Sequence, residues 1–199
     1  MELTTIPPTL PDLIRPWHDF YLLVGTASAT LVGLMFVAAS IGAQVFKEEN
    51  RAAMEAFISP TVVHFSTALF ACILATIPEH TGMEFIMLLS VLGLAGLGYS
   101  ARVWTQLIVR RKFSVDSVDR LFYAVIPGFG QLLIFISGVM LLTLPAAGLD
   151  CLAIALLVLL LAGIRNAWDM TLWIVIRAPV AEPRSDNTPS SSGTPPNRH

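Results

Sequence analysis

Charge is scarce in this chain. Its 12 Lys and Arg and 14 Asp and Glu make up 13% of 199 residues, where soluble domains carry about 25%. So few charges cannot cover the surface of one soluble core. The net charge of −2 and the scatter of the basic residues leave no phosphate-tracking stripe, which argues against a nucleic-acid partner. Cysteine is equally sparse. Cys72 and Cys151 are too few for a disulfide framework and read as small apolar fillers. The familiar catalytic signatures are missing too: there is no HExxH, GxSxG, Walker loop or CxxC. Carboxylates do not occur in pairs within the apolar stretches, as paired acid–base chemistry would require. The expectation is therefore a non-enzymatic protein with no cofactor and no metal. Glu79, His80 and Glu84 have donor atoms for a metal ion, but three such residues on one short loop are a weak signal and ordinary loop polarity accounts for them better. The start of the chain lacks a basic region running directly into an apolar core, so no cleavable signal peptide is expected.

What the chain has in abundance is apolar length. Hydrophobic residues make up 55% of it, with a mean hydropathy of +0.71. An α-helical span needs about 20 predominantly apolar residues. Five stretches qualify: 20–46, 57–77, 83–101, 121–144 and 151–176. Read as five crossings, they put eleven of the twelve basic residues on one side, with only Arg15 on the other. Basic residues near span ends stay cytoplasmic. The expected fold class is thus an all-α integral membrane bundle of five transmembrane helices, with its N-terminus outside and its C-terminus inside, in the cytoplasmic membrane of a cell. Residues 1–19 form an external or interfacial segment, 20–177 the transmembrane domain and 178–199 a disordered cytoplasmic tail rich in Pro, Ser and Thr. A four-span arrangement with a re-entrant first segment would have to hide 27 nearly continuous apolar residues.

Lipid offers helices no hydrophobic drive toward each other, so small residues that permit close backbone approach become candidate contacts. Gly25, Ala29 and Gly33 recur every four residues in the first span, and Phe36, Ser40 and Gln44 continue the same arc. Val24, Leu31, Leu34 and Met35 are left for lipid. Gly93 and Gly96 form a comparable pair in the third span. Plain packing and association with a second protein both fit such faces.

Polar residues inside the spans concentrate at one depth. Gln44, His64, Arg102, Gln131, Arg165 and Asp169 all fall in the cytoplasmic half, and Pro60 and Pro127 weaken two helices at similar depth. Each ionisable group near a bilayer centre costs about 2.5–3.5 kcal/mol on insertion scales, so the layer is either a functional cavity or a set of snorkelling side chains with a structural ion pair. Arg165 and Asp169 are four apart and can pair, although Arg before Asp is the weaker order. An interhelical Arg102–Asp169 contact is also expected. Arg110, Arg111 and Lys112 form a basic cluster that suits anionic lipid headgroups, or serves only to set topology.

The segment WHDFYLLVGTASATLVGLMFVAASIG, residues 17–42, resembles a group of small multi-pass bacterial membrane proteins. They share an aromatic lead into a Gly/Ala/Ser-patterned helix followed by Phe-Val-Ala. The resemblance implies a helical membrane fold and carries no activity. The expected function is an assembly or accessory role through helix–helix association, with itself or a larger partner; the alternative is a small channel or transporter built on the inner polar layer.

Overall fold

The computed structural model describes residues 9–45, 48–77, 81–109 and 125–177; the side chains of 42–45, 48–59, 106–109 and 173–177 lie outside that description, as does the expected tail at 178–199. Every regular element among the described residues is helical: α1 (Leu10–Ile14), a 3-10 turn (Arg15–Trp17), α2 (His18–Val45), α3 (Glu48–Thr76), α4 (Gly82–Val109), α5 (Ile126–Met140) and α6 (Pro145–Arg177). Three helices are long and apolar enough to cross a membrane, within Leu10–Ile41, Gly82–Thr105 and Pro145–Leu172, and Pro60–Thr76 and Ile126–Met140 are shorter apolar helices.

Several boundaries differ from the sequence expectation for local reasons. The charged stretch Glu48–Arg51, expected to be a connector, is the first turn of α3, because Glu, Arg and Ala are strong helix formers. It brings α3 to 29 residues, about 44 Å. The expected loop at 145–150 is helical as well. Pro145 opens α6, where its missing N–H costs nothing, so the α5–α6 connection shrinks to four residues, Leu141 to Leu144. Pro127 likewise occupies the first turn of α5 and does not break a helix. Pro60 does lie inside α3, buried, and leaves one carbonyl without its helical partner.

Helices α3, α4, α5 and α6 form a ring in which each packs on the next and α6 returns to α3, while α2 lies outside, chiefly against α3. Glycines allow the closest approaches. A Cβ at Gly93 would sit 2.6 Å from the backbone nitrogen of Phe135, and one at Gly130 would sit 2.8 Å from Leu159. One end of the ring has an apolar core of Phe85, Leu89, Ile134, Leu149, Leu152 and Leu156. Large apolar side chains also cover the outside: Leu23, Phe36, Val91, Leu161 and Trp168 are all more than half exposed. A core–surface polarity of this kind suits a nonpolar solvent.

The packing face of α2 is a correction. Tyr21, Val24, Gly25, Ser28 and Met35 are buried, with Leu31 and Val32 partly so, whereas Ala29, Gly33, Phe36 and Ser40 face outward. The seam follows a spacing of three and four residues and uses large side chains that interlock with Phe65 and Cys72. The small-residue face, at Gly33, has open space: a Cβ there would meet nothing within 4 Å.

Candidate functional site

The other end of the ring is polar inside. Thr61, His64 and Thr67 on α3, Ser100 on α4, Gln131 on α5 and Asn166 on α6 are all buried. Helix register brings them together. Gln131 Nε2 donates to Thr67 Oγ1 at 3.2 Å, and the Gln131 side chain fills the space that a Cβ on Gly96 would take. One turn further along the antiparallel α4–α5 pair, a Cβ at Gly128 would lie 3.7 Å from Ser100 Cβ. Gly163 accommodates the Phe65 ring, which levels α6 with α3 just above Asn166. Met35, Phe65 and Met170 wall the layer on the α2 side.

Hydrogen bonding within this layer is incomplete. Among the described residues His64 has neither ring nitrogen paired, and Gln131 Oε1, Ser100 Oγ and, on α2, Ser28 Oγ are also without partners. His64 is 2% exposed and Gln131 fully buried. A buried polar group left unpaired costs about 1–3 kcal/mol, and neutral imidazole needs one acceptor and one donor. The layer is therefore a group of buried hydroxyl, amide and imidazole side chains whose hydrogen-bonding capacity is only partly used among the described residues.

The sequence-derived residues divide between this cluster and its rim. His64 and Gln131 lie inside it. Arg165 and Asp169 pair at its edge, Nε to Oδ2 at 3.1 Å and to Oδ1 at 3.3 Å, with both side chains partly exposed. The expected Arg102–Asp169 contact is not formed. Asp169 is held by its own helix, and Arg102 is exposed, its carbonyl accepting from Thr105 Oγ1 at 2.8 Å. The side chain of Gln44 and the cluster Arg110, Arg111 and Lys112 lie outside the described residues, as do Glu79 and His80. Glu84 caps α4 by exchanging hydrogen bonds with Thr81 at 3.2 and 3.3 Å. Among the small residues expected at helix contacts, Gly25 lies 3.1 Å, as a virtual Cβ, from Cys72 Cβ, and Gly93 and Gly96 face α5, while Ala29 and Gly33 point outward.

Thr67, Ser100 and Asn166 were not singled out by the sequence. Their signal was present but weak: Ser100 follows Gly96 by one turn and Thr67 follows His64 by three residues, spacings that share a helix face. Ser and Thr are common in apolar helices, where they usually bond to their own backbone, as Thr26, Thr30 and Ser90 do. Comparison with protein-family models, with curated proteins and with solved structures found no match.

Proposed function

We propose that this chain is a multi-pass membrane protein crossing a bacterial-type cytoplasmic membrane five times, N-terminus outside, and that the polar layer between α3, α4, α5 and α6 is a binding place on the path of a small polar solute or ion. The observation that carries the reading is His64, buried in an apolar bundle with two unpaired ring nitrogens. A bundle that served only as a scaffold would gain stability by replacing it with leucine. Retained polar groups at membrane depth mark pathways or binding sites. The apolar exterior and the three long apolar helices support membrane insertion, and the one-sided basic residues support the orientation. The test is flux of small cations, protons and neutral solutes in proteoliposomes. Wild-type flux above empty vesicles that changes in His64→Ala and Gln131→Leu is the expected result. Absence of wild-type flux across that panel counts against the pathway.

A second reading, association through α2, is favoured by one observation. The outward strip at Ala29 and Gly33 has open space above it and would admit the backbone of another helix, from a second copy or a larger membrane partner. Crosslinking in the membrane separates this role from the first.

A further inference from the structure

At the end of the bundle opposite the polar layer, the helical run that opens at Leu10 leads into α2 through a 3-10 turn. Pro16 lies in the 3-10 turn between α1 and α2, and α1 reaches across to α4 and α6: Leu10 Cδ2 would be 3.3 Å from a Cβ at Gly82. Beneath this strap is a half-open cavity of about 790 Å³, bounded by α1, the start of α2, the end of α3 and the start of α4. Its floor is apolar, from Ile14, Leu74, Ile77 and Phe85, and its rim carries Asp12, Arg15, His18 and Asp19.

The rim charges are spaced and exposed. Arg15 enters no ion pair among the described residues. Asp19, one turn later, is fully exposed, with Oδ1 3.3 Å from His18 Nδ1. Asp12 is held by Thr9, whose hydroxyl and backbone N–H donate to Oδ2 at 2.6 and 3.1 Å. A guanidinium on a short rim with two carboxylates, above an apolar floor, complements a molecule with an anion, a cation and an apolar body. A guanidinium favours a phosphate with two parallel N–H donors. A carboxylate favours a cation that can donate hydrogen bonds, which a primary ammonium does and a quaternary one does not. Trp17, packed against Phe20 and Tyr21 beside the strap, is a residue type that settles at headgroup level.

We infer that this cavity binds a phospholipid with a phosphoethanolamine headgroup, its phosphate on Arg15, its ammonium at Asp19 and Asp12, and its glycerol and first acyl carbons on the Ile14–Phe85 floor. The inference rests on the membrane reading above and is independent of the polar layer.

The experiment is retention of defined lipids by the full-length protein, taken from proteoliposomes into mild detergent and weighed by native mass spectrometry. The vesicles contain phosphatidylethanolamine, phosphatidylcholine and phosphatidylglycerol in equal parts. The expected result is at least tenfold enrichment of phosphatidylethanolamine in the retained lipid, lost in Arg15→Gln and reduced toward phosphatidylglycerol in Asp19→Asn, with His64→Ala unchanged. Both rim residues are exposed, so neither substitution disturbs packing. Equal retention of the three lipids overturns the proposal, as does enrichment that survives both rim variants. Preference for phosphatidylglycerol in the wild type overturns the zwitterionic class. Flotation of the protein with vesicles is scored first: a chain that does not float overturns the membrane reading and this inference with it, whereas a floating chain without lipid preference overturns this inference alone.

Discussion

Gln131 Nε2 donates to Thr67 Oγ1 at 3.2 Å, fastening α5 to α3 across the ring from a position made available by the absence of a side chain at Gly96. Three helices are thus tied by one amide.

Gly96→Ala tests that arrangement. The new methyl group takes the place of the Gln131 carboxamide, so the amide must leave or α4 and α5 must separate. We expect a loss of about 1–3 kcal/mol, read as a lower midpoint of thermal unfolding in detergent. In the double variant with Gln131→Ala the alanine at 96 should cost much less than it does alone, because the clash is gone. Strict additivity of the two substitutions would count against the contact.

Thr67→Val removes the acceptor while keeping the shape. Hydrogen bonds between membrane helices average about 0.6 kcal/mol and reach about 1.7, and the Gln131 Nε2–H is left stranded in a buried site. A small destabilisation within that range is expected by the same melting assay. A stabilised Thr67→Val protein would show that the bond contributes nothing.

His64→Leu should separate stability from function. Both ring nitrogens lack partners, so an apolar side chain of similar size removes a desolvation penalty and should leave the unfolding midpoint equal or higher. Solute flux in proteoliposomes should nonetheless fall. A large drop in stability would mean that the imidazole has a structural partner and would remove the main support for a pathway.

Arg165→Gln breaks a partly exposed i,i+4 pair, a class worth about 0.3–0.5 kcal/mol. The expected unfolding midpoint is therefore almost that of the wild type. A clear change in flux in the same variant would place the pair on the pathway; unchanged kinetics would make it a surface feature of α6.

Gly33→Leu and Gly25→Leu form a matched pair on one helix. The first faces open space and should leave the monomer's stability intact while abolishing any crosslink through α2; the second collides with Cys72 and should destabilise the bundle itself. A wild-type crosslink that persists in Gly33→Leu would exclude this strip as an interface.

Helix content was legible in the sequence because apolar runs of this length have few alternatives, and the inner polar layer was legible because polar side chains stand out in such runs. His64 and Gln131 were found that way. The face of α2 was read in part: Gly25 does approach Cys72 closely, but Ala29 and Gly33 face outward and Tyr21, Val24, Ser28 and Met35 complete the seam instead, following a spacing of three and four rather than a strict four. Arg102 and Asp169 were matched by depth alone, and depth says nothing of azimuth; α4 and α6 stand across the ring, separated by α3 and α5. The stretches 48–51 and 145–150, left between the expected spans, belong to helices, since charge and proline are both at home in a first turn.

The order of helices around the ring has a consequence for how the protein is made. α3 meets α4, α4 meets α5 and α5 meets α6, each the next to leave the ribosome, and the ring closes through the contact of α6 with α3. The slot at Gly93 and Gly96 is therefore synthesised before its occupant, and Gln131 can emerge to find Thr67 already waiting. The described α5, 15 residues long, rises only about 22 Å and carries a buried amide, so it is the helix most dependent on neighbours made earlier. Gly163 against Phe65 is the contact by which the last-made helix, α6, meets α3 and closes the ring beside Asn166.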